Sequence, residues 1–336
     1  MIFAPPYLLN VDEPSRVNAF LKSVGFYNQG EVLENVSVAG DGNMNVVLRA
    51  TTNQRSFILK QSRPYVNKYP TVEAPFDRIV REHRFYEIVR ENSVLRDYTP
   101  EVYFFNRPNY ILCLQDFGNA NDFSNIYQKE VEISKPDMAD IAKAVSELHF
   151  AFKDVDSSQR VINSELHKLN HQHIFELPVK ESNGFDLNMV CPGLQNRTSR
   201  FRTDKPLGKM SKELGQMYLS DKGTRLLHGD YYPGSWLNTK DGFKMIDPEF
   251  CFTGLPEYEL AVAIAHLKMA QQSDSVIKDL FVYYHFDNKF DGSLFSKFAG
   301  MEIIRRIIGL AQLPLDLSLG ERLSLLDEAY ELVLNG

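Results

Sequence analysis

The chain has 336 residues, of which 43% are hydrophobic and 24% are charged, and its formal net charge is −7. This length suffices for two lobes, because a single hydrophobic core seldom grows beyond about 250–300 residues. The acidic balance argues against nucleic-acid binding, which is typical of basic surfaces. The sequence contains no run of about 18 apolar residues that could span a bilayer. We therefore expect neither a nucleic-acid partner nor a membrane partner.

The cysteine pattern and the first residues bear on the cellular compartment. Cys113, Cys191 and Cys251 are scattered and show neither metal-ligand spacing nor a disulfide framework. The N-terminal residues lack the basic segment and the long apolar run of a signal peptide. These features predict a reducing compartment, and we expect a cytoplasmic protein.

The first part of the chain alternates between helical and strand-like patterns. A helix is predicted after Pro14, followed by strands within residues 32–61. Residues 76–92 have helical spacing, and residues 102–114 read as two strands joined by a turn. We therefore expect residues 1–115 to form an N-terminal antiparallel sheet lobe that carries one or two helices.

The remainder of the chain is mainly helical in pattern. Ser134 precedes an amphipathic stripe that ends near Phe152. Residues 160–215 are polar and rich in loop-forming residues, and no elements are assigned there. Four further helices are predicted at 257–271, 275–285, 295–312 and 320–334. The expected architecture is α+β, with a larger, mainly helical C-terminal lobe over residues 116–336.

Two short apolar segments in the second lobe each deliver an acidic residue. Asp230 follows His228-Gly229, and Asp247 follows Met245-Ile246, with a turn at 240–242 between the segments. A hairpin of this kind brings two carboxylates to one end of a small sheet. One carboxylate can then face a hydroxyl group and the other a metal ion, as phosphoryl transfer requires.

The residues around this hairpin suggest individual roles. Asp230 is the candidate catalytic carboxylate that orients or deprotonates a hydroxyl, and His228 is expected to hold the loop through hydrogen bonds. Asp247 and Glu249 point the same way in an extended segment and would suit Mg²⁺. An alternative makes His228 the metal ligand of a hydrolase, but no second cluster of His and Asp accompanies it.

Phosphate-binding candidates lie in the first lobe. The turn at Gly40, Gly42, Asn43 and Asn45 contains small residues that let backbone N–H groups approach phosphates closely. An ordinary hairpin turn would look the same.

Lys60 ends an apolar strand about 18 residues after the glycine turn, where it could reach the phosphates of ATP while paired with a helix carboxylate. Glu82 is the expected partner, with Glu87 as the alternative.

Together these segments resemble the aminoglycoside phosphotransferase/choline kinase family, which shares the protein-kinase-like fold. The resemblance is carried by His228-Gly229-Asp230 with Ile246-Asp247 and by Asp247-Pro248-Glu249-Phe250. Residues 42–47, 60–66 and 304–309 are similar to its methylthioribose kinase branch. The likeness implies a two-lobed, ATP- and Mg²⁺-dependent phosphotransferase acting on a small molecule.

The resemblance also implies further site residues. Ser235 occupies the position of a metal-binding residue, and Arg305 and Arg306 look like paired arginines that hold a sugar. Tyr231 departs from the pattern of the methylthioribose kinase branch and lies in the loop that should face the acceptor. Adenine would dock near Gln115 and Phe117. The implied acceptor is the C1 hydroxyl of 5-methylthioribose in methionine salvage, and the family likeness allows a homodimer.

Two alternatives stay open at this point. The chain could be a kinase of the same fold that acts on an aminoglycoside, an amino alcohol such as choline, or another sugar. It could also be a nucleotide-binding regulator that has lost catalysis, although Lys60, Asp230 and Asp247 are all present.

Overall fold

The computed structural model describes residues 7–40, 44–156, 158–220 and 222–336. The chain divides into two compact units, Met1–Ala120 and Asn121–Gly336. The division falls after Ala120, whereas the sequence predicts a lobe boundary after residue 115. Asp41, Gly42 and Asn43, which belong to the predicted glycine turn, lie outside the described residues.

The first unit combines an antiparallel sheet with helices. Its strands are β1 (Leu33–Val38), β2 (Val46–Thr52), β3 (Ser56–Gln61), β4 (Tyr65–Val66), β5 (Tyr69–Glu73), β6 (Val102–Asn106) and β7 (Ile111–Gln115). Its helices are α1 (Pro14–Ser23), α2 (Arg78–Val89) and α3 (Ser93–Asp97). The main sheet has the order β1-β2-β3-β7-β6, and every pair in it is antiparallel.

The two faces of β3 carry different side chains. Phe57 and Leu59 lie in a hydrophobic cluster with Phe20 and Leu21 of α1. Successive side chains of a strand point to opposite faces, so Lys60 leaves the sheet on the other side. This alternation places one lysine where α2 can reach it.

The second unit is mainly helical. Its helices are α4 (Lys135–Ala151), α5 (Ser164–His171), α6 (Leu194–Arg197), α7 (Ser199–Thr203), α8 (Lys205–Tyr218), α9 (Pro256–Met269), α10 (Asp274–Tyr283), α11 (Gly292–Ile308) and α12 (Leu319–Asn335). Its short strands are β8 (Asn121–Asp122), β9 (Arg225–Leu227), β10 (Trp236–Thr239), β11 (Gly242–Met245) and β12 (Phe252–Gly254). Helix α11 packs against α9 and α12.

The α+β architecture predicted from the sequence is confirmed, and α9 to α12 occupy the four predicted helical regions. The main difference is α8, in the segment to which the sequence assigned no element. Its glycines, Gly208 and Gly215, weaken the helical pattern. Gly215 lies close to α5, because a Cβ atom there would lie 2.5 Å from Nε2 of His171.

Among the described residues, none of the helices combines the length and the apolar character needed to cross a bilayer.

Candidate active site

The predicted hairpin is present and brings the two acidic motifs together. Strands β10 and β11 pair from Trp236 opposite Met245 to Thr239 opposite Gly242. Strand β9, which precedes the His-Gly-Asp motif, pairs with β12, which follows Asp-Pro-Glu-Phe, with Leu227 opposite Phe252. The loop that carries Asp230 follows β9, and the loop that carries Asp247 leads into β12. The two loops therefore lie at the same end of this strand pair.

A buried glutamate on α9 holds the His-Gly-Asp loop. The carboxylate of Glu259 accepts hydrogen bonds from the backbone N–H groups of His228 (3.1 Å) and Gly229 (2.6 Å). Its Oε2 atom also lies 2.8 Å from Nε2 of His149. Because a carboxylate is an acceptor with several lone pairs, one side chain fixes two consecutive peptide groups of the loop.

His228 has the structural role expected from the sequence. It is fully buried, and its Nε2–H group donates to the carbonyl of Ile246 at 2.8 Å. Nδ1 is then the acceptor for the backbone N–H of Asp230, at 3.4 Å. His228 thereby connects the loop before Asp230 to the residue before Asp247.

Asp230 remains partly accessible at the end of this loop. The relative exposure of its side chain is 23%, and its Oδ1 atom lies 3.6 Å from Nη2 of Arg306. Burial raises the pKa of Asp230 to about 6, while the nearby Arg306 and Arg305 act to lower it. A carboxylate with such a pKa is a better proton acceptor than an ordinary surface aspartate.

The two arginines predicted to hold a sugar are bound to a neighbour on their own helix. Nη1 of Arg305 donates to Oε2 of Glu302 at 2.9 Å, and Nε of Arg306 donates to Oε1 at 2.6 Å. Both arginines are almost completely buried. Burial by itself would raise the pKa of Glu302, but the two guanidinium groups outweigh it and hold that pKa well below its usual range.

The two consecutive tyrosines of the catalytic loop point in different directions. Tyr231 is fully buried, its hydroxyl donates to the carbonyl of Ile141 at 2.7 Å, and its ring packs against Trp236. It therefore has no surface with which to contact an acceptor in this structure. Tyr232 is partly exposed, and its ring centroid lies 5.2 Å from Cζ of Arg306.

The candidate metal ligands have different surroundings. Asp247 is partly exposed and has left-handed backbone angles (φ 63°, ψ 47°), which aspartate tolerates better than most residues. Glu249 and Ser235 are buried. The side chain of Asn163 donates to the carbonyl groups of Glu249 and Cys251, and so holds the backbone of this turn.

These donors fit Mg²⁺ that arrives with a nucleotide. Carboxylate and hydroxyl oxygens are hard ligands, and Mg²⁺ is usually bound through one or two carboxylates together with substrate phosphates. Within residues 7–40, 44–156, 158–220 and 222–336, no group of three His, Cys, Asp or Glu side chains could hold a metal by itself.

In the first unit, Lys60 of β3 pairs with Glu82 of α2. The Nζ atom lies 3.0 Å from Oε1 and 2.8 Å from Oε2, and both side chains are buried. Glu87, the alternative partner, instead lies on the exposed side of α2 with Arg84 and His83. The expected lysine–glutamate pair is thus formed with Glu82.

The same helix also holds the last residues of the predicted glycine turn. Arg78, one turn before Glu82, donates from Nε to Oδ1 of Asn45 at 2.9 Å and from Nη2 to the carbonyl of Met44 at 2.6 Å. Asn45 is buried by this contact, and Gly40 precedes the part of the turn outside the described residues.

The end of the first unit is held by an ion pair. Gln115 ends β7, and its backbone N–H donates to the carbonyl of Glu101. Arg49 binds Asp116 through two hydrogen bonds of 2.8 and 2.9 Å and also donates to the carbonyl of Gly118. Phe117 lies between these contacts and is partly buried.

Comparison with known proteins shows a family likeness in the second unit. Residues 193–293, which include Asp230, Asp247 and Glu249, match the pattern of the "Phosphotransferase enzyme family". Methylthioribose kinase 1 of Oryza sativa subsp. japonica is 25% identical over 251 residues, which cover 70% of this chain and 56% of that protein. The part of the chain that contains Asp230 and Asp247 is thus similar to this phosphotransferase family. The chain spans little more than half the length of the rice relative.

Two further comparisons extend the likeness over more of the chain. Methylthioribose kinase of Exiguobacterium sibiricum (strain DSM 17290) is 25% identical over 324 residues, which cover 81% of this chain and 79% of that protein. The AMP-bound complex of the spectinomycin phosphotransferase APH(9)-Ia superposes with a TM-score of 0.56, at 14% identity, over 96% of this chain and 98% of that one. This structural likeness establishes the protein-kinase-like fold.

Sequence reasoning missed two buried glutamates of this candidate site, Glu259 and Glu302. Both lie within apolar helices, where an ionised side chain is costly unless it is paired. A glutamate within an apolar helical segment is therefore a sequence signal for a buried, paired carboxylate. The spacing of Glu302 with Arg305 and Arg306 is a second signal.

Proposed function

We propose that the chain is an ATP- and Mg²⁺-dependent kinase that transfers the γ-phosphate to a hydroxyl group of a small sugar. The first candidate acceptor is the C1 hydroxyl of 5-methylthioribose. Support comes from the methylthioribose kinase relatives and from a structural neighbour that binds AMP. The proposal includes a cytoplasmic location, and a homodimer remains a prediction for size-exclusion measurements.

The observation that carries this proposal is the setting of Asp230. Its loop is fixed by Glu259, its side chain is partly exposed, and Arg306 lies near it without a short hydrogen bond. In our proposal Asp230 accepts the proton of the acceptor hydroxyl as the oxygen attacks the γ-phosphorus and the bond to ADP breaks. The required proton acceptor thus lies at a rigid and accessible position.

The remaining roles follow the chemistry of the side chains. Lys60, held by Glu82, and the turn from Gly40 to Asn45 would bind the phosphates of ATP. Asp247, Glu249 and Ser235 would hold Mg²⁺, which when bound neutralises charge on the phosphates. Gln115 and Phe117 would lie beside the adenine.

The acceptor site is expected to favour a neutral molecule. Arg305 and Arg306 are balanced by Glu302 and Asp230, so this part of the second unit has little uncompensated positive charge. The proposed acceptor contact is Tyr232 and not Tyr231, because Tyr231 is enclosed in the core.

The test is a coupled ADP-release assay with MgATP and a panel of hydroxyl acceptors. We expect turnover with 5-methylthioribose and a loss of several orders of magnitude in the Asp230→Asn variant. Product analysis by ³¹P NMR would locate the phosphate on C1. Absence of ADP release with every acceptor, with ATP binding retained, would indicate a nucleotide-binding regulator instead.

A second candidate is a kinase of the same fold that uses another hydroxyl acceptor. It is favoured by the bonds between Glu302 and the two arginines, which occupy donors that the family likeness assigns to the sugar. The same panel decides this question. If 5-methylthioribose is inert and another sugar, an amino alcohol or an aminoglycoside is phosphorylated, the second candidate is correct.

A further inference from the structure

A chain of buried side chains leads from the interior of the second unit to Asp230. The hydroxyl of Tyr127, which lies in the 3-10 turn Phe123–Tyr127, is 2.5 Å from Nδ1 of His266 on α9. Nε2 of His266 is 3.2 Å from Oε1 of Glu302 on α11. The same Oε1 atom accepts from Nε of Arg306 at 2.6 Å, and Arg306 faces Asp230.

The donor and the acceptor of each hydrogen bond in this series of side chains can be assigned. Burial lowers the pKa of His266 to about 4, although the hydrogen bond to Glu302 opposes this effect, so the ring is neutral at pH 7. A carboxylate only accepts, and therefore the single ring proton lies on Nε2 and is donated to Glu302. Nδ1 of His266 is then the acceptor for the hydroxyl proton of Tyr127.

The hydrogen bonds from Tyr127 to His266 and from His266 to Glu302 consequently all run toward Glu302, which is 1% exposed. Its Oε1 atom accepts hydrogen bonds from Nε2–H of His266 and Nε–H of Arg306, while its Oε2 atom accepts one from Nη1–H of Arg305. Bonds from two helices thus fix the direction of this carboxylate. Because the guanidinium group is planar, fixing Nε also fixes the direction of Nη2.

The separation between Arg306 and Asp230 is the consequence of this arrangement. At 3.6 Å, Nη2 and Oδ1 attract each other but do not form a short hydrogen bond. An arginine without Glu302 would be free to close onto Asp230 and form the bidentate pair that guanidinium and carboxylate groups prefer. Such a pair would occupy the oxygen atoms that the acceptor hydroxyl needs.

We propose that Glu302, supported by His266 and Tyr127, is a positioning residue that holds Arg306 back from Asp230 and keeps this carboxylate free for the acceptor. The inference rests on the proposed kinase function. It assigns a task to three buried side chains that do not touch substrate. The effect of Tyr127 and His266 on the reaction passes through Glu302 and Arg306, whereas Glu302 also raises the pKa of Asp230 by its own charge.

The main test compares three variants along the chain. Glu302→Gln, His266→Gln and Tyr127→Phe should each lower kcat, with the largest loss, about 10- to 100-fold, for Glu302→Gln. KM for MgATP should stay within about twofold, because the change affects the proton acceptor and not nucleotide binding. If Glu302→Gln does not fold, the two milder variants give the same information.

The matched control is another buried glutamate bound to an arginine. Glu31 pairs with Arg55 in the first unit, so Glu31→Gln should reduce stability without a comparable loss of kcat. Tyr127→Phe should also lose its effect when Arg306 is replaced by lysine, since the two changes act on one path. An unchanged kcat in Glu302→Gln and Tyr127→Phe would overturn the positioning role.

A measurement without turnover separates this inference from the proposed function. Asp230 is faced by Arg305, Arg306 and Glu302 from α11, and by Glu249 and Tyr232; Tyr127, Tyr218 and Tyr258 lie close enough to interact with it. A ¹³C-carboxyl NMR titration, assigned with Asp230→Asn, should show Asp230 titrating at lower pH in Tyr127→Phe and His266→Gln than in the wild type. These two variants leave the charge of Glu302, which itself raises the pKa of Asp230, in place.

If no acceptor is phosphorylated, the kinase proposal fails, while the titration of Tyr127→Phe and His266→Gln still decides whether the supported Glu302 restrains Arg306. An unchanged or raised titration midpoint would overturn the inference. A lowered midpoint together with normal turnover would show that the restraint exists but does not serve catalysis, and would also overturn it.

Discussion

A Cβ atom on Gly229 would lie 2.1 Å from the carbonyl oxygen of Phe250. Gly229 is the middle residue of the His-Gly-Asp motif, and Phe250 follows the acidic pair of the second motif. The two loops therefore approach each other at backbone level. The φ angle of Gly229, +86°, is a second reason why only glycine fits there.

Replacing Gly229 by alanine should strongly destabilise the protein. The Cβ contact and the positive φ both oppose the native backbone, and we expect a loss of about 3 kcal/mol or more in the free energy of unfolding. Gly242→Ala is the control, because Gly242 has φ +88° but open space around it. That variant should lose only about 1 kcal/mol. Equal losses in urea denaturation would contradict the close approach of the loops.

The Lys60–Glu82 pair allows stability and phosphate binding to be separated. Lys60→Met should cost about 3–5 kcal/mol, because it leaves the Glu82 carboxylate buried without its cation. The double variant Lys60→Met/Glu82→Leu should recover much of this stability but not the turnover. Thermal unfolding and ADP release are the two measurements. Recovery of turnover in the double variant would exclude a role for Lys60 in phosphate binding.

Turnover should fall as the pH decreases through about 6, the raised pKa of Asp230, because the protonated carboxyl cannot accept the hydroxyl proton.

The folded-state pKa of Asp230 lies above the usual value of 3.8, so the native state binds this proton more tightly than the unfolded state. The contribution of Asp230 to stability therefore decreases as the pH rises from about 4 to 6.

Asp230→Asn should accordingly be inactive but more stable than the wild type above pH 7, by roughly 2 kcal/mol, with little difference near pH 4. Chemical denaturation at the two pH values provides the check. If the variant is less stable than the wild type at pH 8, ionisation of Asp230 in the folded protein does not lower the free energy of unfolding.

Tyr232 should determine how the acceptor is held. A Cβ atom on Gly234 would lie 2.5 Å from the Tyr232 hydroxyl oxygen, so Gly234→Ala should displace the ring from Arg306. We expect a higher KM for the acceptor, by about tenfold, with little change in KM for MgATP. Gly234→Ala should have no further effect in a Tyr232→Ala background. An additive effect would indicate that the alanine disturbs the loop in another way.

Patterns that are local in sequence predicted much of this structure. The β10–β11 hairpin and the regions of α4 and α9 to α12 follow from side-chain periodicity and short spacings, and the choice of Glu82 over Glu87 follows from the kinase pattern of a strand lysine paired with a helix carboxylate. The roles assigned to Lys60, Asp247 and Glu249 remain predictions. Helix α8 was missed because its two glycines weaken the pattern, and Gly215 serves a contact that is visible only in three dimensions.

The rest depends on partners that are distant in the sequence. Glu259 binds the backbone of His228, 31 residues earlier, and Glu302 binds His266, 36 residues earlier. No local pattern specifies such pairs. Likewise, Tyr231 and Tyr232 are equivalent in the sequence, and only the backbone course of the loop decides that Tyr231 enters the core while Tyr232 stays partly exposed.

The left-handed conformation of Asp247 has an evolutionary consequence. Glycine adopts φ +63° without the strain that a side chain introduces, and asparagine also tolerates it. A single nucleotide change converts an aspartate codon into either of these residues. Loss of the proposed metal ligand would therefore leave the backbone intact or even relieve it. Homologues that have become pseudoenzymes should carry glycine or asparagine here more often than alanine.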